Sequence, residues 1–489
     1  MRRLNDVLLF ILIATSASIS RAAEPINLAT RRELFVDHHI IDRLDGARLQ
    51  LHRPVRRNIA LKLDQPWEGV YCGYFTVIRD DSIRSGKKFR MYYRGLPANA
   101  KGEADHSRGE VTCVAESADG ITFTRPKLGL YESGGSKDNN IILAGNPACH
   151  NFSPFLDTRP GVPAKERYKA VGGNRRTGLL PFVSADGLHW KPLRKEPIIT
   201  GGAFDSQNVV FWSPAEKLYV SYYRVFRQGK RSIARTTSKD FLNWSKPLDM
   251  SYGDTPREHL YTNQTHPYFR APHIYISLPK RFAPGRKAHR PEHDGPLVIS
   301  KTYAGDVSEG VLMTTRGGDR YDRTFMEAFF RPGRDPANWV SRTNMAALNV
   351  VPTAPDEMSI YYSQHYAQPT HHILRTTLRT DGFASLRAGY RGGELLTKPF
   401  KFAGKQLEIN FATSAVGSVR IELQDPSGKP LAGFALADCN ETVGDRIRHV
   451  VRWKAGNDLS KIAGQTIRMR IVLKDADVYA FRFATSDDD

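Results

Sequence analysis

Apolar and polar residues along this chain fall into short alternating runs broken by Gly, Pro, Asp and Asn, and helical periodicity is nearly absent. Such runs read as strands. A first group holds Tyr74-Phe75-Thr76-Val77-Ile78, Phe89-Arg90-Met91-Tyr92-Tyr93 and Val111-Thr112-Cys113-Val114-Ala115. Similar groups recur at 151–156 with 168–171, at 208–212 with 218–223, at 273–278, and at 348–351 with 358–362. Between them a heptapeptide repeats: Ser117-Ala118-Asp119-Gly120-Ile121-Thr122-Phe123, Ser184-Ala185-Asp186-Gly187-Leu188-His189-Trp190 and Ser238-Lys239-Asp240-Phe241-Leu242-Asn243-Trp244. Weaker echoes stand at Gly317-Gly318-Asp319 and Thr380-Asp381-Gly382-Phe383. Asp-Gly tightens a turn because Gly accepts positive φ while Asp bonds its own backbone, and the aromatic packs the turn onto a sheet.

The repeat spacing leaves room for four short strands per unit. Five such units predict an all-β fold, a five-bladed β-propeller over residues 23–392, because radial closure leaves few exposed edges. The segment Leu34-Phe35-Val36 is expected to zip the ring shut beside the last blade. After Gly392-Gly393 the pattern becomes longer strict alternation, as in Val419-Arg420-Ile421-Glu422-Leu423 and Ile467-Arg468-Met469-Arg470-Ile471-Val472-Leu473. That is the pattern of half-buried antiparallel strands, and residues 393–489 are expected to form a β-sandwich. Asp487-Asp488-Asp489 is expected to fray.

Composition adds a compartment and a charge. Residues 1–22 carry Arg2 and Arg3, an apolar run from Val7 to Ile13 and the small-x-small site Ser20-Arg21-Ala22, the layout of a signal peptide. No run reaches the roughly 20 apolar residues of a membrane span, so a secreted or periplasmic protein without integral membrane association is expected. The 489 residues carry a net charge of +20, which in an exported protein suits anionic polymers such as sulfated or uronic-acid glycans. No zinc finger, ribonucleoprotein motif or long basic helix points to nucleic acid. Four cysteines without C-x-x-C spacing read as buried thiols or at most one bridge. The metal and cofactor expectation is none, with a structural Ca2+ left open by the Asp-rich loops although no EF-hand spacing occurs.

In its organisation the chain resembles the exported glycosidase-like proteins that pair a five-bladed propeller with a C-terminal β-sandwich, the architecture of the invertase/fructosidase family. Its Ser-x-Asp-Gly-x-x-Trp/Phe repeat is similar to that of the wider glycoside hydrolase family 32/43-like superfamily, which includes arabinanases and levansucrases. The resemblance implies carboxylates around a central funnel and cleavage of glycosidic bonds in an oligo- or polysaccharide. The family's Trp-x-Asn-Asp-Pro-Asn-Gly nucleophile strand and Glu-Cys acid motif are missing here. Arg334-Asp335-Pro336 matches its Arg-Asp-Pro triplet but falls late in the unit order.

Glycosidic cleavage needs an acid to protonate the leaving oxygen and a carboxylate acting as nucleophile or base, and the entrances to the innermost strands are where such groups would meet. The third unit opens with Gly201-Gly202-Ala203-Phe204-Asp205-Ser206-Gln207-Asn208, which makes Asp205 the first candidate and Gln207 a binding residue. The fourth opens with Arg257-Glu258-His259, giving Glu258 as its catalytic partner and Arg257 and His259 as contacts. Trp67-Glu68 ahead of the first unit offers a stacking platform and a third acid. His150 and Asn151 open the second unit and Arg342 and Asn344 the fifth, as contacts for hydroxyls or anions. The competing readings are a non-catalytic glycan-binding propeller and a lyase acting on an acidic polysaccharide. There is no Gly-x-Ser-x-Gly elbow, phosphate loop or His-Glu-x-x-His pair.

Overall fold

A computed structural model describes residues 24–99, 101, 103–295 and 301–485. The leader at 1–22 and the terminal aspartates lie outside the described residues. The fold is all-β, and among the described residues there are two α-helices, each of a single turn, Pro291–Asp294 and Lys301–Ala304.

The strand groups legible in the sequence become antiparallel sheets, strand following strand. The first sheet is Gly73–Arg79, Phe89–Gly95, Val111–Ser117 and Ile141–Ala144. The second is Ser153–Leu156, Tyr168–Asn174, Gly178–Ser184 and Lys191–Pro192. The third is Val209–Ser213, Leu218–Arg227, Lys230–Ser238 and Leu248–Asp249. The next is split: His266–Tyr268, Ala271–Ser277 and Met313–Thr315 form one sheet, and His259–Leu260, Lys280–Ala283, Val307–Val311 and Ala328–Phe330 form its continuation, bent at Pro279 and Leu312. The last is Val351–Pro352, Glu357–Gln364, His372–Arg379 and, on its outside, Val55–Lys62.

The first strands of successive sheets neighbour one another, and the series returns on itself. The Val77 amide donates to the Leu348 carbonyl (3.0 Å) and the Leu348 amide to the Phe75 carbonyl (2.8 Å), joining the last sheet to the first. The middle of this ring is filled by buried amides rather than by hydrocarbon. Gln207 donates to the Phe75 carbonyl (3.0 Å) and accepts from Gln264 (2.6 Å), which ties three sheets together at the axis.

The repeated heptapeptides make the same turn three times. In each, the serine hydroxyl donates to the aspartate (Ser117 to Asp119, 2.9 Å; Ser184 to Asp186, 3.0 Å; Ser238 to Asp240, 3.0 Å), and that carboxylate accepts backbone amides two residues on. The next residue has positive φ: Gly120 +76°, Gly187 +74° and Phe241 +71°.

Two long strands, Gln406–Gln424 and Arg468–Ala484, dominate the C-terminal sheet around a core that includes Phe400, Phe411, Trp453, Phe481 and Phe483. The N-terminal region joins it. Ile41–Asp45 pairs with Gly393–Thr397, and Ala47–Leu51 pairs with Ala384–Ala388. Here one expectation is corrected. Leu34 pairs with Ala480 in the C-terminal sheet, and the strand that completes the last propeller sheet is Val55–Lys62 against His372–Arg379. Leu34 and Val36 still pack beside Ile274 and Ile360, so their apolar character serves the seam between the two parts. All four cysteines are free and buried.

Candidate active site

His150, Asp205, Tyr261 and Arg342, from the entrances of successive sheets, line a common cavity, and Tyr74 from the first sheet stands just behind it, bonded to Asp205. Local sequence dictates how. Asn146 caps the 3-10 turn Pro147–His150 by accepting the Ala148 amide, which sets His150 at the turn's end. Asp205 rides on a loop clamped from two sides: the Asn151 amide donates to the Phe204 and Ser206 carbonyls, and Asn208 donates to the same two at 3.0 Å each. Both amides are fully buried, whereas the Asp205 side chain is 55% exposed. Tyr74 (φ +56°) and Arg342 (φ +64°) adopt left-handed backbone, a costly conformation for bulky residues that breaks strand alternation where the site needs it.

Asp205 Oδ1 accepts from Tyr74 Oη at 3.0 Å and lies 3.1 Å from His150 Nε2, with Arg224 3.9 Å from Oδ2. Burial opposes its ionisation, but the His150 bond and the charges of His150, Arg224 and Arg342 outweigh it and hold the carboxyl well below the usual carboxylate range. His150 Nδ1 faces Glu110 at 2.9 Å, so one imidazole bridges two carboxylates. Burial alone would lower the His150 pKa; the bonds to Asp205 and Glu110 raise it instead. Glu110 shifts down, again against burial, through His150 and Arg94. The set is an ionised pair of acids around a histidine biased toward its charged form. Because the Tyr74 proton is committed to Asp205, the 2.9 Å contact between Tyr74 Oη and Tyr261 Oη has Tyr261 as donor.

Cations crowd the opposite wall. Around the Tyr261 ring centroid stand Lys280 Nζ at 4.3 Å and the guanidiniums of Arg224 at 5.0 Å, Arg342 at 5.7 Å and Arg231 at 5.9 Å. Among the described residues no carboxylate lies within ion-pair distance of Arg231 or Arg342; Arg342 donates to Tyr303 Oη (3.2 Å) and Arg231 packs 4.6 Å over Phe282. The cavity they share with Asp205 measures about 1070 Å3 and takes in Arg175, Arg176 and Arg227, against Glu110 and Asp205 as its carboxylates. No group of three or more His, Cys, Asp or Glu side chains among the described residues is placed to hold a metal ion.

Of the residues singled out in the sequence, the structure brings together Asp205, His150 and Arg342. Asn151 stands behind Asp205 as its clamp. Glu258 does not join them: its oxygens are held by Arg281 (2.9 Å) and Arg323 (2.7 Å), and it does not line the cavity. Glu68 is fully buried in a bidentate bond with Arg125 (2.7 and 2.8 Å) and a bond from Tyr93. Trp67 donates to Asn140 (2.7 Å), anchoring the first sheet's outer strand. Gln207 belongs to the axial amides. Asn344 donates to the Ser308 and Asn338 carbonyls, and Arg257 reaches Gln228 at 3.3 Å on the surface. His259 accepts the Arg231 amide and steadies the strand that carries that arginine. The sequence reading missed Glu110, Tyr74, Tyr261, Arg224, Arg231 and Lys280. Arg224, Arg231 and Lys280 sit within second or third strands, where a charge inside an otherwise apolar run, as in Tyr222-Tyr223-Arg224-Val225-Phe226, was the available signal.

No family model matches the chain, and no curated protein does. Among solved structures it is similar to an N-acetylgalactosamine deacetylase from F. plautii in complex with blood group B trisaccharide, at 12% identity over 68% of this chain and 96% of that one, TM-score 0.44. It is also similar to a structure described as a glycoside hydrolase (11% identity, 67% and 92% covered, TM-score 0.45). A third is a glycoside hydrolase family 43 arabinoxylan arabinofuranohydrolase from Bacillus subtilis in complex with cellotetraose (12% identity, 86% and 96%, TM-score 0.38).

Proposed function

We propose that this is an exported five-bladed propeller enzyme that cleaves glycosidic bonds in an anionic glycan, one bearing uronate or sulfate groups. The observation that carries the reading is the shared cavity, where ionised Asp205 faces Arg231 and Arg342, two cations with no carboxylate within ion-pair distance among the described residues. Guanidinium groups bind carboxylate and sulfate with matched forks, and an uncompensated pair of them is costly unless a ligand completes it. Asp205, held ionised, suits the nucleophile or base; it cannot be the proton donor at neutral pH. His150 can pass a proton to the leaving oxygen once substrate opens its 3.1 Å bond to Asp205, with Glu110 holding the imidazolium from the far side. Glu258 and Glu68 then act as structural ions.

The ring closure of first strands supports the five-blade count, and the N-terminal sequence supports export. A second reading has its own observation: the Tyr261–Tyr74–Asp205 hydroxyl chain beside arginines also suits proton abstraction from a uronate, as in a lyase. One assay separates the two. Purified enzyme is offered uronate-containing, sulfated and neutral glycans, and the products are scored for new reducing ends and for the ultraviolet absorbance of unsaturated uronides. Hydrolysis gives the first without the second, elimination gives both, and turnover confined to neutral glycans overturns the reading.

A further inference from the structure

Beneath the cavity lies a second, much smaller hollow. It measures about 10 Å3, room for one water or one monatomic ion. Arg94, Lys280 and Arg342 line it, with Tyr74, Tyr261 and Gly73. Of these, Gly73, Tyr74, Arg94 and Lys280 do not line the large cavity. Lys280 is fully buried, its Nζ has no hydrogen-bond partner, and Arg94 Nε is likewise buried and unpartnered. Among the described residues, Arg94 alone of the three cations has a carboxylate within ion-pair distance, Glu110 at 3.6 Å.

A buried ammonium with nothing to donate to is among the more costly arrangements a fold can hold, and an explanation is required. Among the side chains that line it, a water would find oxygen acceptors only in the tyrosine hydroxyls, whereas the nitrogens of Lys280, Arg94 and Arg342 all offer donors, two of them unpartnered. An ion that only accepts, carries negative charge and occupies one atom's space answers all three conditions. We propose that this hollow is an internal halide site, with chloride held by Lys280 Nζ, Arg94 Nε and Arg342. Supporting it, burial together with Arg342, Arg231 and Arg224 drives the empty-site Lys280 amine well below its ordinary pKa, the state an anion would reverse. Gly73 keeps the space open: a Cβ there would come within 3.3 Å of an Arg94 nitrogen and 3.9 Å of the Met345 methyl. Bound chloride would fix Arg342 and the Tyr74–Tyr261 pair from below, so the floor of the larger cavity is organised by an ion that is not its substrate.

The test uses the full chain in gluconate buffer free of halide. Thermal unfolding is followed by aromatic fluorescence while chloride or bromide replaces gluconate at constant ionic strength. A melting temperature that climbs with the logarithm of halide concentration is expected, rising about 3 °C at a hundredfold excess over the dissociation constant. Sulfate, too large for the hollow, should give no such rise. Lys280→Met and Gly73→Ala should each lose the halide response, Lys280→Met by removing the charge and Gly73→Ala by filling the space. Crystals soaked in bromide should show an anomalous peak between Lys280, Arg94 and Arg342; this arm decides the matter if either variant fails to fold. A halide-independent melting temperature, a response that survives in Lys280→Met, or halide that competes with glycan for one site would each overturn the proposal. Melting and anomalous scattering do not read glycan turnover, so failure here leaves the proposed activity standing, and the reverse also holds.

Discussion

Asp205 shows how much a residue's role depends on what holds it. Its side chain reaches into the cavity, but its backbone is gripped by two buried asparagine amides, so the carboxylate keeps one position without being shielded from substrate. Asn151→Ala should lower kcat while leaving the pH profile in place, because it moves Asp205 without changing its charge environment; a pH profile shifted by a full unit would contradict that role. Histidines at this scale carry opposite pH signatures. His150 has a raised pKa, so its contribution to stability is present below pH 6.5 and fades as pH rises through the folded value. His266 and His371 are fully enclosed, and burial lowers them to about 4 and about 3. Each is kept neutral in the fold, so stability falls as pH drops below 6.5, by on the order of 1.4 kcal/mol per unit and per group until its folded value is reached. Urea unfolding at pH 7 and pH 5 should therefore show a loss at pH 5 that His266→Gln reduces. Asp205, His150 and Arg342 were legible in the sequence because polar residues cluster at strand entrances without any packing reason. Glu110 was not, since it belongs to a loop between second and third strands, away from any strand entrance, and no local pattern ties it to His150.

At the scale of elements, the period-2 runs and the Ser-x-Asp turns placed the first two strands of most propeller sheets, but not later strands such as Gly178–Ser184, Lys230–Ser238 and His372–Arg379. The turns are load points of local geometry: Gly187 holds φ +74°, and a Cβ there would fall 2.6 Å from Tyr92 Oη and 2.8 Å from an Arg90 nitrogen. Gly187→Ala should cost about 1–3 kcal/mol, from backbone strain and the clash together, measured as a lower urea midpoint with an unchanged slope. The strand Val55–Lys62 escaped sequence reading for a physical reason. It is the outer strand of its sheet, its first half is exposed, and Arg56-Arg57-Asn58 breaks the apolar alternation that marks inner strands. The apolar run Leu34-Phe35-Val36 signals burial but not which partner provides it, and the partner is the C-terminal sheet rather than the last propeller sheet.

For the whole molecule, charge and connection matter most. A net charge of +20 with six cavity arginines should make binding of a uronate or sulfated oligosaccharide weaken as salt rises, with little salt dependence for a neutral one of equal length; titration calorimetry at two ionic strengths checks this. The two parts of the chain meet at Asp381, fully buried in the last echo of the turn motif. It accepts from Tyr268 (2.8 Å), Arg270 (2.8 Å) and Asn410 of the C-terminal sheet (3.1 Å), with Arg32 at 3.7 Å. Asp381→Ala leaves Arg32 and Arg270 without this carboxylate and should destabilise by about 3–5 kcal/mol, visible as loss of soluble protein or an early unfolding transition. The all-β organisation was readable from the chain because it repeats. The composition of the cavity was not, because it is assembled from residues that no local pattern connects.

The most direct measurement of the proposed activity is the turnover of Asp205→Asn beside Glu258→Gln on an acidic glycan that the native protein is found to cleave. Asp205→Asn should lose on the order of a thousandfold or more in kcat, while Glu258→Gln keeps the native rate once its folding is confirmed. An Asp205→Asn enzyme that turns over at the native rate would contradict the assignment of this cavity as the active site.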